Sequence, residues 1–192
     1  LASRYGIDMQ KAYISGLLHD CAKCVPDEKK IAECRQNDIT ITDSEYKSPY
    51  LLHSKLGAFY ARTQYGINDT DILEAITWHT TGHPDMTMLE KIVFVADYIE
   101  PYRNKAANLD KIRYLAFTNI DDAILHILND TINYLKENDK PIDGITLETY
   151  NFYKNYNKSN TTIERNNKYH DKRYFKADGK NYRRSIKRKK RL

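Results

Sequence analysis

Three imidazoles and two carboxylates interrupt otherwise apolar helical stretches. His19 and Asp20 follow Leu17 and Leu18, His53 adjoins Leu52 and Leu56, and His79 continues the spacing of Ile72 and Ala75/Ile76. Asp97 lies within Val93-Phe-Val-Ala-Asp-Tyr-Ile99. Leu17 and Leu18 are expected to face a core, which carries His19 and Asp20 to the edge of that core. An ionised carboxylate there is costly unless something positive pairs with it, and Lys23 is the only local cation. A metal ion would satisfy His19 and Asp20 together. Histidine and carboxylate together suit a hard-to-borderline transition metal such as iron, manganese, cobalt or zinc. Asp20 is placed to bridge two such ions. Each residue also has a plainer reading: a hydrogen-bonded core histidine, or, for Asp97, a helix carboxylate bonded to Tyr or Lys. Five such coincidences in one small domain favour the metal.

The elements that must position these residues read as helices. Leu1 to Tyr5 looks like a helix end closed by Gly6, and Asp8 caps a second helix expected to reach Cys24, before Pro26. A short helix is expected over 27–38, then a polar loop through Asp43. Ser48-Pro49 opens a helix to Tyr65, with Leu52, Leu56 and Phe59/Tyr60 inward and open space beside Gly57. Asp69 caps a helix ending at Thr80-Thr81-Gly82. Thr87 and Glu90 form a capping box for a helix through about Glu100, with Met88, Ile92 and Val95/Ala96 inward. A long amphipathic helix is expected from Asp121 to Glu137, and Thr146 should cap a last one to about Asn155. No alternating strand pattern appears, so the fold class is all-α.

Charge divides the chain unevenly. Of 31 Lys/Arg and 26 Asp/Glu, fourteen basic and three acidic residues lie from Asn157 onward, which leaves the preceding part mildly acidic. Residues 1–155 read as one domain, and 156–192 as a basic, disordered extension too poor in apolar residues to build a core. Its Lys/Arg with interleaved Tyr could contact nucleic acid or an anionic membrane; a solvated extension without function is the alternative. Three cysteines in no framework spacing suit a reducing cytoplasm. The Cys21-x-x-Cys24 pair follows a helical run where a redox motif would want a strand. Trp78 and His126 read as packing residues. No stretch has the length and apolarity of a membrane span, and no signal peptide is visible.

The order of these motifs resembles the HD-domain metal-dependent phosphohydrolases and, more narrowly, the YqeK family of symmetrical diadenosine tetraphosphate hydrolases. The matching words are Gly16-Leu-Leu-His-Asp-Cys-Ala-Lys23, His53 within Tyr50-Leu-Leu-His-Ser-Lys-Leu-Gly57, His79-Thr-Thr-Gly82, and Leu89-Glu-Lys-Ile-Val-Phe-Val-Ala-Asp-Tyr-Ile-Glu-Pro-Tyr-Arg103. The likeness spans roughly residues 1–155.

The resemblance implies an all-helical HD bundle holding two metal ions, iron first, and hydrolysis of a dinucleoside polyphosphate to two ADP. His19, Asp20 and Asp97 would hold one ion, and His53, His79 and bridging Asp20 the other. Asp20, Asp97 and Lys23 would carry catalysis. Lys23, Arg103, Thr80 and Thr81 would meet the nucleotide. His83 stands where many relatives carry Arg; it reads as phosphate-facing or as a plain loop residue. The family places a further metal-ligand His on a helix before Leu1. The chain opens on Leu-Ala-Ser inside a helix rather than on Met, and is expected to be a fragment or a processed product. The alternatives are an HD phosphohydrolase acting on deoxynucleotides or guanosine tetraphosphate, and an inactive fragment with a basic RNA- or membrane-binding tail. A homodimer is also possible.

Overall fold

Polar side chains and backbone turns set where the helices start and stop, and so place the site. The computed structural model describes residues 1–156, and residues Leu1–Lys154 form one compact unit. Helix α1 (Ala2–Tyr5) closes on Gly6 in the left-handed conformation (φ 68°), a position glycine fills without steric cost. Helix α2 (Met9–Leu18) starts at Asp8, whose carboxylate accepts from the Gln10 and Lys11 amides. It ends six residues before the expected Cys24, in a turn that carries His19 and Asp20. Helices α3 (Asp27–Gln36) and α4 (Asp43–Lys47) follow. The expected polar loop thus gives way at Asp43 to α4, which has a capping box from Thr42 and Glu45.

Pro49–Leu51 form a single 3-10 turn that leads into α5 (Leu52–Thr63). Asp69 caps α6 (Thr70–Trp78), and Thr87 with Glu90 boxes the start of α7 (Met88–Tyr98). Next come α8 (Leu109–Thr118) and α9 (Ile120–Glu137), the latter capped by Asn119. A last helix, α10, runs over 144–156. No strand occurs among the described residues. The expectations for the basic tail fall outside them.

Two layers of packing hold the site-bearing helices. Leu18, Ala58, Ala61, Ile72, Leu73 and Ile76 bury α2, α5 and α6 against one another. Phe94, Val95, Ile112, Ile124, Ile127 and Leu128 join α7, α8 and α9. Each such Leu, Ile, Val or Phe side chain, fully buried, contributes about 1.5–3 kcal/mol.

Three local expectations need correction. Leu17 is 65% exposed whereas Leu18 is buried, because neighbouring residues on a helix point about 100° apart and α2 packs on its neighbours along a stripe that takes in Leu18 and leaves Leu17 outside. Ala96 is exposed for the same reason, while Val95 beside it is buried. The cap of α10 is Asp143, whose Oδ1 accepts from the Ile145 amide at 3.0 Å; Thr146 is buried inside the helix. Asp143 Oδ2 also accepts from the Thr42 hydroxyl at 3.4 Å. Asp143→Ala is therefore expected to cost about 1 kcal/mol, read as a lower denaturant midpoint. A midpoint equal to that of the parent would mean that the cap adds nothing.

Candidate metal centre

Four helix ends meet at the site. His19 is the residue after α2, His53 lies in the first turn of α5, His79 follows α6, and Asp97 sits in the last turn of α7. Each histidine is anchored the same way. His19 Nδ1 lies 2.7 Å from the Gly16 carbonyl, His79 Nδ1 2.7 Å from the Ile76 carbonyl, and His53 Nδ1 makes a short bond to the Tyr50 carbonyl. A carbonyl can only accept, so Nδ1 carries the proton and donates. Nε2 is then the free donor atom for a metal, as in histidine ligands held by an outer partner.

The three Nε2 atoms converge on one carboxylate. Asp20 Oδ1 stands 3.3 Å from His53 Nε2 and 3.6 Å from His79 Nε2, and Oδ2 stands 3.3 Å from His19 Nε2. His53 and His79 face each other Nε2 to Nε2 at 3.1 Å. Ligand atoms of His19, Asp20 and His79 all lie within 4.8 Å of one another. Asp97 Oδ1 completes the group, 3.8 Å from His19 Nε2.

This donor set fits a cation. With the Nδ1 atoms donating, the His53 and His79 Nε2 lone pairs point at each other and at Asp20 Oδ1, a buried oxygen with no hydrogen-bond partner. Lone pairs so arranged repel unless positive charge lies among them. Without an ion, a proton held on the His19 imidazole supplies part of that positive charge. The two carboxylates, Asp20 foremost, push the His19 imidazole up to about 10 against the opposing effect of burial. Burial tends to raise the Asp20 carboxyl, but His19, His53, His79 and Lys23 outweigh it and hold the group well below the usual carboxylate range. Asp97 is likewise lowered: His19, His79 and Arg103 overcome its burial.

A cavity of about 510 Å³ opens onto the group, lined by Gly16, His19, Asp20, Lys23, Asp97 and Arg103 among others. Lys23 Nζ pairs with Asp20 Oδ2 at 2.6 Å. An Arg103 terminal nitrogen donates to the Asp97 carbonyl at 3.2 Å and lies 3.7 Å from its carboxylate. The Thr80 hydroxyl stands 3.2 and 3.4 Å from the Nε2 atoms of His79 and His53. Thr81 instead donates to the Gly82 carbonyl and lines a separate cavity of about 440 Å³ with Trp78 and Lys55. His83 does not line the 510 Å³ cavity; its Nε2 lies 3.1 Å from the buried Glu90, and its ring packs on Trp78 at 5.0 Å. The cysteines are free, and Cys21 Sγ donates to the Gly57 carbonyl. Glu100 also lines the metal-facing cavity. Sequence reasoning passed over it, although it stands inside the quoted word ending at Arg103.

A family model described as HD domain matches residues 1–102, more than half of the 192-residue chain. The chain belongs to the HD-domain family. HD domains bind divalent metals, in keeping with the His/Asp group described above. Full-length relatives agree. A protein of Halalkalibacterium halodurans named "Bis(5'-nucleosyl)-tetraphosphatase, symmetrical" is 42% identical over 151 residues, covering 79% of this chain and 80% of its own. The Bacillus subtilis protein of the same name is 38% identical, covering 79% and 81%. This HD domain also superposes on the crystal structure of a Clostridium acetobutylicum protein described as a predicted HD superfamily hydrolase involved in NAD metabolism. The TM-score there is 0.78 at 38% identity, over 81% of this chain and 82% of the other. No helix among the described residues is long and apolar enough to cross a membrane.

Proposed function

We propose that this HD domain hydrolyses diadenosine tetraphosphate between its two central phosphates, releasing two ADP. The observation that carries the reading is the convergence of three Nε2 atoms on the Asp20 carboxylate, two at Oδ1 and one at Oδ2; the names of the relatives supply the substrate. His19, Asp20 and Asp97 would hold one transition-metal ion and His53, His79 and Asp20 a second, iron first among manganese, cobalt and zinc. When bound, such ions neutralise phosphate oxygens and make a nucleophile available from water near neutral pH.

The chain's own residues do the rest. Lys23 and Arg103 bring positive charge to the cavity wall, offsetting the charge that grows on the departing ADP. Asp97, within reach of His19, orients the attacking water and accepts its hydrogen bond. Thr80 offers a hydroxyl beside His53 and His79 to a phosphate oxygen. Water adds to one central phosphorus, the bridging P–O bond breaks, and the bridging oxygen leaves with the other ADP; the water's protons pass to solvent. The three free cysteines suit a reducing cytoplasm.

Metal-reconstituted protein given a nucleotide panel is the test. ADP as the only nucleotide product of diadenosine tetraphosphate, two per substrate consumed, is the expected result. ATP with AMP as products would overturn it. So would faster turnover of a deoxynucleoside triphosphate or of guanosine tetraphosphate.

A further inference from the structure

Arg103 lines three cavities, two of which bear on the substrate. One holds the metal-binding group; the other, of about 560 Å³, lies between the end of α7, the segment after Pro101, and α9. That second volume falls in the range of roughly 300–1,000 Å³ usual for small-ligand pockets. Nothing in the hydrolytic step assigned above uses it.

Its walls combine unlike chemistries. Arg103 and Lys105 contribute two cations, and Arg103 also lines the metal cavity. Arg103 Nε is buried and has no hydrogen-bond partner, although a terminal nitrogen of the same guanidinium is tied to Asp97 and the group lies over the Tyr98 ring at 5.2 Å. A buried N–H left without an acceptor is costly, and a phosphate oxygen would satisfy it. The same lining holds Tyr98, Tyr134 and Ala106, with the carboxylates of Asp130 and Glu137 about a turn to either side of Tyr134 on α9 and Asp130 accepting from Asn108. Aromatic faces suit a stacked base, and carboxylates accept from ribose hydroxyls or a base amino group. Cations for phosphate and tyrosines for a base, in a cavity that shares Arg103 with the metal cavity, are what half of a dinucleoside polyphosphate requires.

We infer that this cavity binds the distal nucleoside diphosphate half of the substrate, the half that leaves as ADP, with Tyr134 as its base-stacking wall and Arg103 joining the two cavities. The inference rests on the dinucleotide reading above and adds the element that makes the enzyme select a substrate with a nucleoside at both ends.

The test compares diadenosine tetraphosphate with adenosine tetraphosphate, which lacks the second nucleoside. The full chain is used as parent and as Tyr134→Ala, Tyr134→Phe and Ala106→Trp. Tyr134 is 54% exposed, so its truncation leaves the core alone. The ratio of kcat/KM for dinucleotide over mononucleotide is expected to fall at least about fivefold in Tyr134→Ala, the scale of one lost base–aromatic stack. It should fall similarly when Ala106→Trp fills the cavity, and Tyr134→Phe should restore it. An unchanged ratio in both Tyr134→Ala and Ala106→Trp would overturn the subsite. Equilibrium binding of the same two nucleotides is measured alongside. A parent that prefers the dinucleotide in binding, and loses that preference in Tyr134→Ala, supports the subsite even if no ADP is released, in which case the reaction assigned above fails by itself.

Discussion

Asp20→Ala is expected to lose bound metal and nucleotide turnover together, by at least about a hundredfold in activity. Partners that merely orient a metal ligand cost about 10–100-fold when removed, and Asp20 is no such partner. Its two oxygens face all three imidazoles, at 3.3, 3.3 and 3.6 Å. Removing them leaves three nitrogen donors with no shared anion and leaves Lys23 without its 2.6 Å partner. Metal content by elemental analysis and turnover of diadenosine tetraphosphate, measured on one preparation, check this. Parent-like turnover in Asp20→Ala would remove the centre as assigned here. Retained metal with lost turnover would shift Asp20 from holding the ions to acting on the substrate.

Gly57 carries the second large effect, and the direction depends on side-chain size. A Cβ at Gly57 would lie 3.4 Å from the His19 carbonyl, 3.5 Å from Ile76 Cγ2 and 3.6 Å from Cys21 Sγ. These are ordinary contact distances. Gly57→Ala therefore fits, and because alanine is the better helix former by about 0.8–1 kcal/mol, the variant is expected to match or exceed the parent in stability. Gly57→Leu has no such room. Its branch must push the His19–Cys21 turn off α5, which displaces both His19 and Asp20 and empties the centre of metal. Thermal melting and metal analysis of the two variants separate these outcomes. A Gly57→Leu protein that still binds metal like the parent would show that the turn tolerates displacement.

Gly57 also shows what a sequence does and does not disclose. The space beside it was legible; that the His-Asp turn occupies the space was not, because nothing in α5 says which distant segment packs there. The five polar residues that converge were readable one by one, since an imidazole or carboxylate inside Ala75-Ile76-Thr77-Trp78-His79 or Val93–Asp97 breaks an apolar pattern. Asp8, Asp69 and Thr87 announced their helices through short-range capping chemistry. Helix α8 was not announced. Leu109, Ile112 and Ala116 are buried and keep helical spacing, but exposed Tyr114 and Phe117 blur the stripe, and Asn108 makes no side-chain cap bond to the helix. Asp143 as a cap was hidden behind Thr146, an equally good capping type three residues later. The end of α2 at Leu18 was masked by Ala22, which is buried as a helical residue would be but reaches the core from a turn. The nucleoside cavity lies between α7 and α9, far apart in the chain, and no local pattern encodes such a gap.

The way α2, α6 and α7 all finish at the centre has an electrical consequence. Each helix presents the negative pole of its peptide dipoles there, roughly half an elementary charge apiece, and Asp20 and Asp97 add to the same sign. The start of α5 at His53 opposes them with a single positive pole. The backbone itself thus adds to the pull on a cation at this spot.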